Sequence, residues 1–208
     1  MSLSQAIEDY LKVIYTMEME GKATTSKIAE AMEISSASVT NMMKRLSKMG
    51  LVDHASYKGV SLTDTGQKVA LEIIRHHRLL ELYLSEVMDY SWDQVHDEAE
   101  KLEHHISEQF EDKMAELLNN PTHDPHGDPI PGKDGSLPIS ATSPLTEAEE
   151  NTQYVIGRVK NQDPELLRYL EKLGLLPGTK ITVIGINPFN GPVELSVNGT
   201  RQSVGHEV

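Results

Sequence analysis

Four carboxylates and three imidazoles crowd the ten positions His96-Asp97-Glu98-Ala99-Glu100-Lys101-Leu102-Glu103-His104-His105. Oxygen and nitrogen donors of this kind bind hard and borderline divalent ions, and the same groups can act as general acids and bases. On a helix advancing about 100° per residue, His96, Glu100, Glu103 and His104 fall within about one third of the circumference, whereas Glu98 and His105 point away. Val95, Ala99, Leu102, Ile106 and Phe110 form an apolar stripe beside that arc, so the helix can dock on a core while presenting its polar edge. A solvated acidic face is the ordinary fate of such a charge-rich helix, and what favours a metal site must come from elsewhere in the chain. With no cysteine among 208 residues there is no disulfide, thiolate nucleophile or soft metal site, so any ion must be held by oxygen and imidazole nitrogen.

The elements that would position these groups follow from periodicity and punctuation. Apolar residues at Ile7, Leu11, Ile14 and Tyr15 predict a first helix over 4–20, stopped by Gly21. A second, shorter helix is capped by Thr25 or Ser26 and turns Ile28, Ala29 and Met32 inward. The Glu33-Ile34-Ser35 turn leads into a third helix over 36–49, with Val39, Met42 or Met43, Leu46 and Met49 buried and Gly50 ending it. LVDHASYKGVSLT then reads as two short strands about a Tyr57-Lys58-Gly59 tip, which completes a winged helix-turn-helix. In that motif the third helix enters the major groove. Ser35, Ser36, Ala37, Ser38, Thr40, Asn41, Lys44 and Arg45 then form its outer side, with Tyr57 and Lys58 on the wing. Small hydroxyl residues permit close approach, Asn41 can pair with an adenine edge, and Ser, Thr, Lys and Arg can hold phosphates.

A long helix is expected over 65–87, with Leu71, Ile74, Leu79, Leu80, Leu82 and Leu84 offering apolar surface for more than one contact, and a single helix over 91–118 carries the charged segment. Such surplus apolar surface points to a dimer, which also suits a protein reading two half-sites of DNA. Six prolines between 121 and 144, with several glycines, mark a linker. Beyond it YVIGRV, KITVIGI and VELSVN read as short strands, with a helix near 164–172, of the size of an SH3-like β-barrel. The fold class is therefore mainly α with a small β domain. Its expected parts are a DNA-binding winged helix-turn-helix (1–64), a helical metal-binding and dimerisation domain (65–120), a Pro-rich linker (121–150) and the SH3-like domain (151–208).

The formal charge of −13 argues against a nucleic-acid partner only until its distribution is considered. Residues 22–60 carry six Lys/Arg against three Asp/Glu, a net of +3, while residues 81–150 carry three lysines against eighteen Asp/Glu, a net of −15. The acidity belongs to the middle of the chain, leaving the N-terminal part free to meet phosphates. No apolar run approaches the roughly 20 residues that span a bilayer and no signal-like N-terminus is seen, so a cytoplasmic protein without a membrane partner is expected.

The order of winged helix, long helix with RHHRLLE, helix with HDEAEKLEHH, then HGDPIPG and a β domain resembles the iron- and manganese-dependent repressors, the diphtheria-toxin-repressor family. The resemblance implies a main metal site of Asp9 (from EDYLKVIY), His77, Glu100, Glu103 and His104. It also implies an ancillary site drawn from Glu81, His96, Asp124, His126 and Asp163, which would pin the C-terminal domain to the middle one. In the iron-responsive branch the positions of Asp9 and Glu100 carry methionine and cysteine. Here both are carboxylates, which suits Mn(II), with Fe(II) next and Zn(II) or Co(II) as surrogates.

The resulting reading is a metal-activated repressor of metal-uptake genes, a homodimer on double-stranded operator DNA, with an iron-responsive repressor of the same family as the alternative. A metalloenzyme is weakly supported. Glu100-x-x-Glu103-His104 lacks the first imidazole of His-x-x-Glu-His, His-Glu-x-x-His is absent, and the paired Glu-x-x-His motifs of a di-iron bundle are not found. A regulator answering to an organic ligand, its acidic helix merely solvated, is the third reading; divalent binding coupled to DNA affinity separates it from the first.

Overall fold

A computed structural model describes residues 3–55, 59–139 and 141–208. It comprises seven α-helices, named α1 to α7 in chain order, and six strands, β1 to β6, among the described residues. The chain divides into two compact units, one of residues 1–76, 103–106 and 131–136, the other of residues 77–102, 107–130 and 137–208. No helix among the described residues is long and apolar enough to cross a membrane.

The first unit is the winged helix-turn-helix with its continuation. Helix α1 (Gln5–Met19) buries Ile7, Tyr10, Leu11, Ile14 and Tyr15, an i, i+3, i+4, i+7 stripe. Helix α2 (Thr25–Ala31) is capped by Thr24, whose side chain accepts from the Lys27 N–H; Thr25 and Ser26 lie inside the helix. Glu33, at φ 53°, takes the left-handed conformation that closes the tight turn. Ser35 then caps α3 (Ser36–Lys48), which buries Val39, Met43 and Leu46, while Met49 is exposed. The hairpin of β1 (Val52–Ala55) and β2 (Gly59–Leu62) forms the wing, and Val60 bridges back to Ala23. Gly66 opens α4 (Asp64–Met88) where a Cβ would stand 2.0 Å from the Leu51 carbonyl oxygen, so only glycine lets helix and wing approach this closely.

Helix α4 buries Leu71, Ile74, Leu79, Leu80 and Leu84. Exposed apolar surface is found at the end of α4, on Val87 and Met88, and elsewhere in the second unit on Leu102, Phe110 and Leu117. The helix expected over 91–118 is two helices, α5 (Val95–Leu102) and α6 (Glu108–Leu117). Ser107 caps α6 by accepting from the Phe110 N–H. The Glu103 carbonyl, which a continuous helix would commit to residue 107, meets His76 Nδ1 at 3.2 Å. Glu103 and His104 therefore occupy a turn, and the helical periodicity expected to align them with His96 and Glu100 stops at Leu102.

In the second unit a four-stranded antiparallel sheet runs in the order β3 (Thr152–Val155), β4 (Lys180–Ile186), β5 (Val193–Val197) and β6 (Thr200–Val204). No ladder joins β6 to β3 among the described residues, so this SH3-like sheet is open. Helix α7 (Pro164–Leu173) covers it through Leu167 and Leu170, which pack with Ile181, Val183, Val193, Leu195 and Val197. Trp92, just before α5, enters the same core. The Pro-rich stretch begins as a buried turn: Asp124 Oδ1 accepts from the His126 and Asp128 backbone N–H groups.

Candidate metal centres and the DNA-facing helix

Among the described residues three groups of side chains each gather ligand atoms within 4.8 Å of one another: Asp9, Glu103 and His104 in the first unit, and His77, His96 and Glu100 together with Glu81, Asp124 and His126 in the second. The main-site residues implied by the family resemblance are thus distributed over the first two groups. His96 joins His77 and Glu100. Asp163 belongs to none of the three; its Oδ1 accepts from the Glu165 and Leu166 N–H groups as the N-cap of α7.

In the first group His104 stands at the centre. Its Nε2 lies 2.8 Å from Asp9 Oδ1 and 3.2 Å from Glu103 Oε1, and its Nδ1 lies 2.6 Å from Glu8 Oε2. The Nδ1–H donates to Glu8, which leaves the Nε2 lone pair facing two carboxylate oxygens. That buried Nε2 makes no hydrogen bond among the described residues. Lone pairs converging in this way fit a divalent ion. Lys12 Nζ reaches the buried Glu103 Oε1 at 2.6 Å.

Glu81 lies between the two groups of the second unit. Its Oε1 is 2.9 Å from His77 Nε2 and 3.1 Å from His96 Nδ1, and its Oε2 is 3.7 Å from His126 Nδ1. His77 Nδ1 in turn stands 3.5 Å from Glu100 Oε2. Burial would raise the Glu81 carboxyl, but the charge of His77, the nearby His126 ring and hydrogen bonds with His77 and His96 hold it well below the ordinary carboxylate range. Burial opposes protonation of His126, yet the nearby Glu81 and Asp124 carboxylates raise it above the ordinary imidazole value. Burial, with the Glu81 and Asp128 charges, pushes Asp124 up to about 8.

The Glu81–Asp124–His126 group is buried, and its carboxylate and imidazole donors fit a divalent ion. Asp124 Oδ2 and His126 Nδ1 are both buried without a hydrogen-bond partner among the described residues. His126 Nε2 donates to the Trp92 carbonyl oxygen at 2.8 Å, which fixes the tautomer and leaves Nδ1 as the ligand atom, and the Trp92 ring stacks on His126 at 5.8 Å. The β-domain segment meets this turn through residues that sequence reasoning missed. Arg158 and Gln162 both bind Asp128, and the Val159 N–H donates to the His126 carbonyl. At Gly127, φ 85°, a Cβ would stand 2.0 Å from the Gly157 carbonyl oxygen. Arg158, Gln162 and Val159 thus join the β-domain segment to this turn. Asp128, four residues after Asp124, was the available signal.

On α3 the residues Ser35, Ser36, Ala37, Ser38, Asn41, Lys44 and Arg45 are exposed on one side of the helix. Ser35 and Ser38 are partly committed to the cap, and Thr40 donates to the Ser36 carbonyl, so Asn41, Lys44 and Arg45 keep the freest polar ends. Tyr57 and Lys58 lie outside the described residues.

Residues 2–60 match the iron dependent repressor N-terminal DNA binding domain, and residues 63–132 match the iron dependent repressor metal binding and dimerisation domain. The chain belongs to the iron-dependent repressor family. It is a metal-dependent DNA-binding transcriptional repressor and not an enzyme, and residues 143–208 of this repressor match the FeoA domain. It is 34% identical to the iron-dependent repressor IdeR of Mycobacterium leprae over 194 residues, covering 87% of this chain and 84% of the relative. Among solved structures, a manganese-dependent transcriptional repressor in complex with manganese superposes with a TM-score of 0.89 at 35% identity, covering 97% of this chain and 95% of the other. ScaR with bound Cd2+ superposes at 0.80 with 36% identity, covering 97% and 94%.

Proposed function

We propose that this repressor is activated by Mn(II), acts in the cytoplasm as a homodimer on double-stranded operator DNA, and controls metal-uptake genes. The observation that carries the choice of metal is the donor set. Asp9, Glu81, Glu100, Glu103 and Asp124 supply only carboxylate oxygen and His77, His96, His104 and His126 only imidazole nitrogen, with no sulfur at any of the three groups. Hard oxygen donors with imidazole suit Mn(II), while Zn(II), Co(II) and Fe(II) can occupy the same ligands by general affinity order. The similarity to manganese-dependent repressors of known structure supports this reading, and the similarity to IdeR keeps Fe(II) as the second.

A bound divalent ion supplies concentrated positive charge to which carboxylates from separate parts of the chain can converge. Asp9 lies on α1, Glu103 and His104 in the turn after α5, so neutralising this group ties the first helix of the DNA-binding unit to that turn. Glu81 from α4 and Asp124 and His126 from the proline-rich turn form the second tie. Ordering α1 shifts the population toward the arrangement that fits DNA. The two-fold partner is expected to cover Val87, Met88, Leu102, Phe110 and Leu117, and α3 to enter the major groove. Anaerobic DNA-binding titrations with Mn(II), Fe(II), Co(II) and Zn(II), each buffered by a chelator, test the proposal. Activation by Mn(II) at least as full as by Fe(II) supports it; activation by Fe(II) without Mn(II) replaces it with the iron reading.

A further inference from the structure

Lys12 follows Glu8 and Asp9 by one turn of α1, and its ammonium stands 2.6 Å from Glu103 Oε1. The Glu103 side chain is wholly buried and that of Lys12 only 16% exposed. A carboxylate at this depth needs a cation, and here one is tethered to the protein. The oxygen it holds is also a donor of the Asp9–Glu103–His104 group, 3.2 Å from His104 Nε2. Metal–oxygen bonds of divalent ions are roughly 2.0–2.6 Å long, so a dication and the ammonium sharing Glu103 Oε1 would lie within about 5 Å of each other, in a setting where like charges are poorly screened.

We propose that Lys12 is a resident competitor for the metal at this group: a divalent ion takes Glu103 Oε1 only in exchange for the ammonium. The inference rests on the reading that Asp9, Glu103 and His104 hold a divalent ion. Lys12 then sets the metal concentration at which the group fills, without being a ligand. It keeps the buried carboxylate neutralised below that concentration and makes the exchange a single substitution of one cation for another. Removing its charge while preserving its length raises affinity, the opposite of what losing a ligand or a purely structural contact does.

The test is Mn(II) binding to the full-length protein without DNA, followed through the electron paramagnetic resonance of the free ion, for wild type, K12M, K12R, E103Q and K12M/E103Q. K12M is expected to tighten one class of site by about tenfold, K12R to stay within about twofold of wild type, and the gain to vanish in K12M/E103Q. Thermal unfolding gives the second readout. K12M melts below wild type in chelator, because the Lys12–Glu103 ion pair is lost, and shows a larger upward shift than wild type on Mn(II) saturation. Equal or weaker Mn(II) binding by K12M, or a K12M protein that Mn(II) does not restore, overturns the proposal. If E103Q removes no Mn(II) site from the wild-type count, the metal reading of this group itself fails, and that outcome is distinct from wild-type binding that K12M leaves untightened.

Discussion

Glu8 accepts a 2.6 Å hydrogen bond from His104 Nδ1, the ring nitrogen opposite the one that faces Asp9 and Glu103. The bond fixes the tautomer and aims the Nε2 lone pair, a role that outer carboxylates commonly play for ligating histidines. Glu8→Leu is expected to weaken Mn(II) binding by about 10–100-fold. Glu8→Gln, whose amide oxygen still accepts, should lose far less. Nitrogen-15 shifts of His104 check the cause: Glu8→Leu should mix the tautomers and Glu8→Gln should not. Equal losses in the two variants with an unchanged tautomer would remove Glu8 from this role.

Glu103→Ala and His104→Ala are each expected to abolish metal-activated DNA binding, since each takes a buried donor from the Asp9 group. Glu98 pairs with exposed Lys101, and His105 is exposed, so Glu98→Ala and His105→Ala should change it less than about twofold, as surface substitutions do. Operator shift assays over a Mn(II) series discriminate these outcomes. A loss at Glu98 matching that at Glu103 would mean that the wrong side chains have been assigned.

Asp124 carries a pH prediction. Its carboxyl is pushed up to about 8, against about 3.9 in an unfolded chain, so between these values the folded state holds a proton that the unfolded state has lost. Stability in chelator should therefore fall as pH rises through that window, and the raised His126 adds to the fall above about 6.5. Metal binding displaces these protons, so affinity should climb by about tenfold per pH unit for each proton released and flatten above about 8. Trp92, the single tryptophan, stacks on His126 and supplies the fluorescence signal. Asp124→Asn should bind more weakly and with a slope lower by about one proton. A slope that Asp124→Asn leaves unaltered would show that another group titrates.

Lys44→Ala and Arg45→Ala are expected to weaken DNA binding and each to reduce its salt slope by about one, with metal affinity unchanged. Asn41→Ala should instead relax discrimination among operator variants, costing about 1–3 kcal/mol at one base pair. Titrations at several salt concentrations, with matched and substituted duplexes, measure both. Normal binding by all three variants would exclude α3 as the reading element.

Gly127→Ala is expected to destabilise the second unit by more than about 1 kcal/mol, because the new Cβ meets the Gly157 carbonyl and φ is left-handed. Chemical denaturation with and without Mn(II) reports it. The variant should also weaken the Asp124–His126 group, which flanks it in the same turn.

Local signals alone determined much of this protein. Apolar periodicity at Ile7, Leu11 and Ile14, the Ser35 cap, Gly50 and the alternating strands specify their elements, because they are set by neighbours within a few residues. The donor types were equally plain, since no cysteine competes with carboxylate and imidazole. Tertiary structure alone decided how those donors group. The helix expected to align His96, Glu100, Glu103 and His104 ends at Leu102, where the Glu103 carbonyl meets His76 and Ser107 starts a new helix. Asp163, free to be a ligand in sequence, is held by the first turn of α7. The partners Glu8 and Lys12 for the turn after α5, and Arg158 for Asp128, come from positions 30 to 96 residues away. No periodicity encodes such pairings, because burial of a carboxylate and the cation that neutralises it are settled only when distant segments pack.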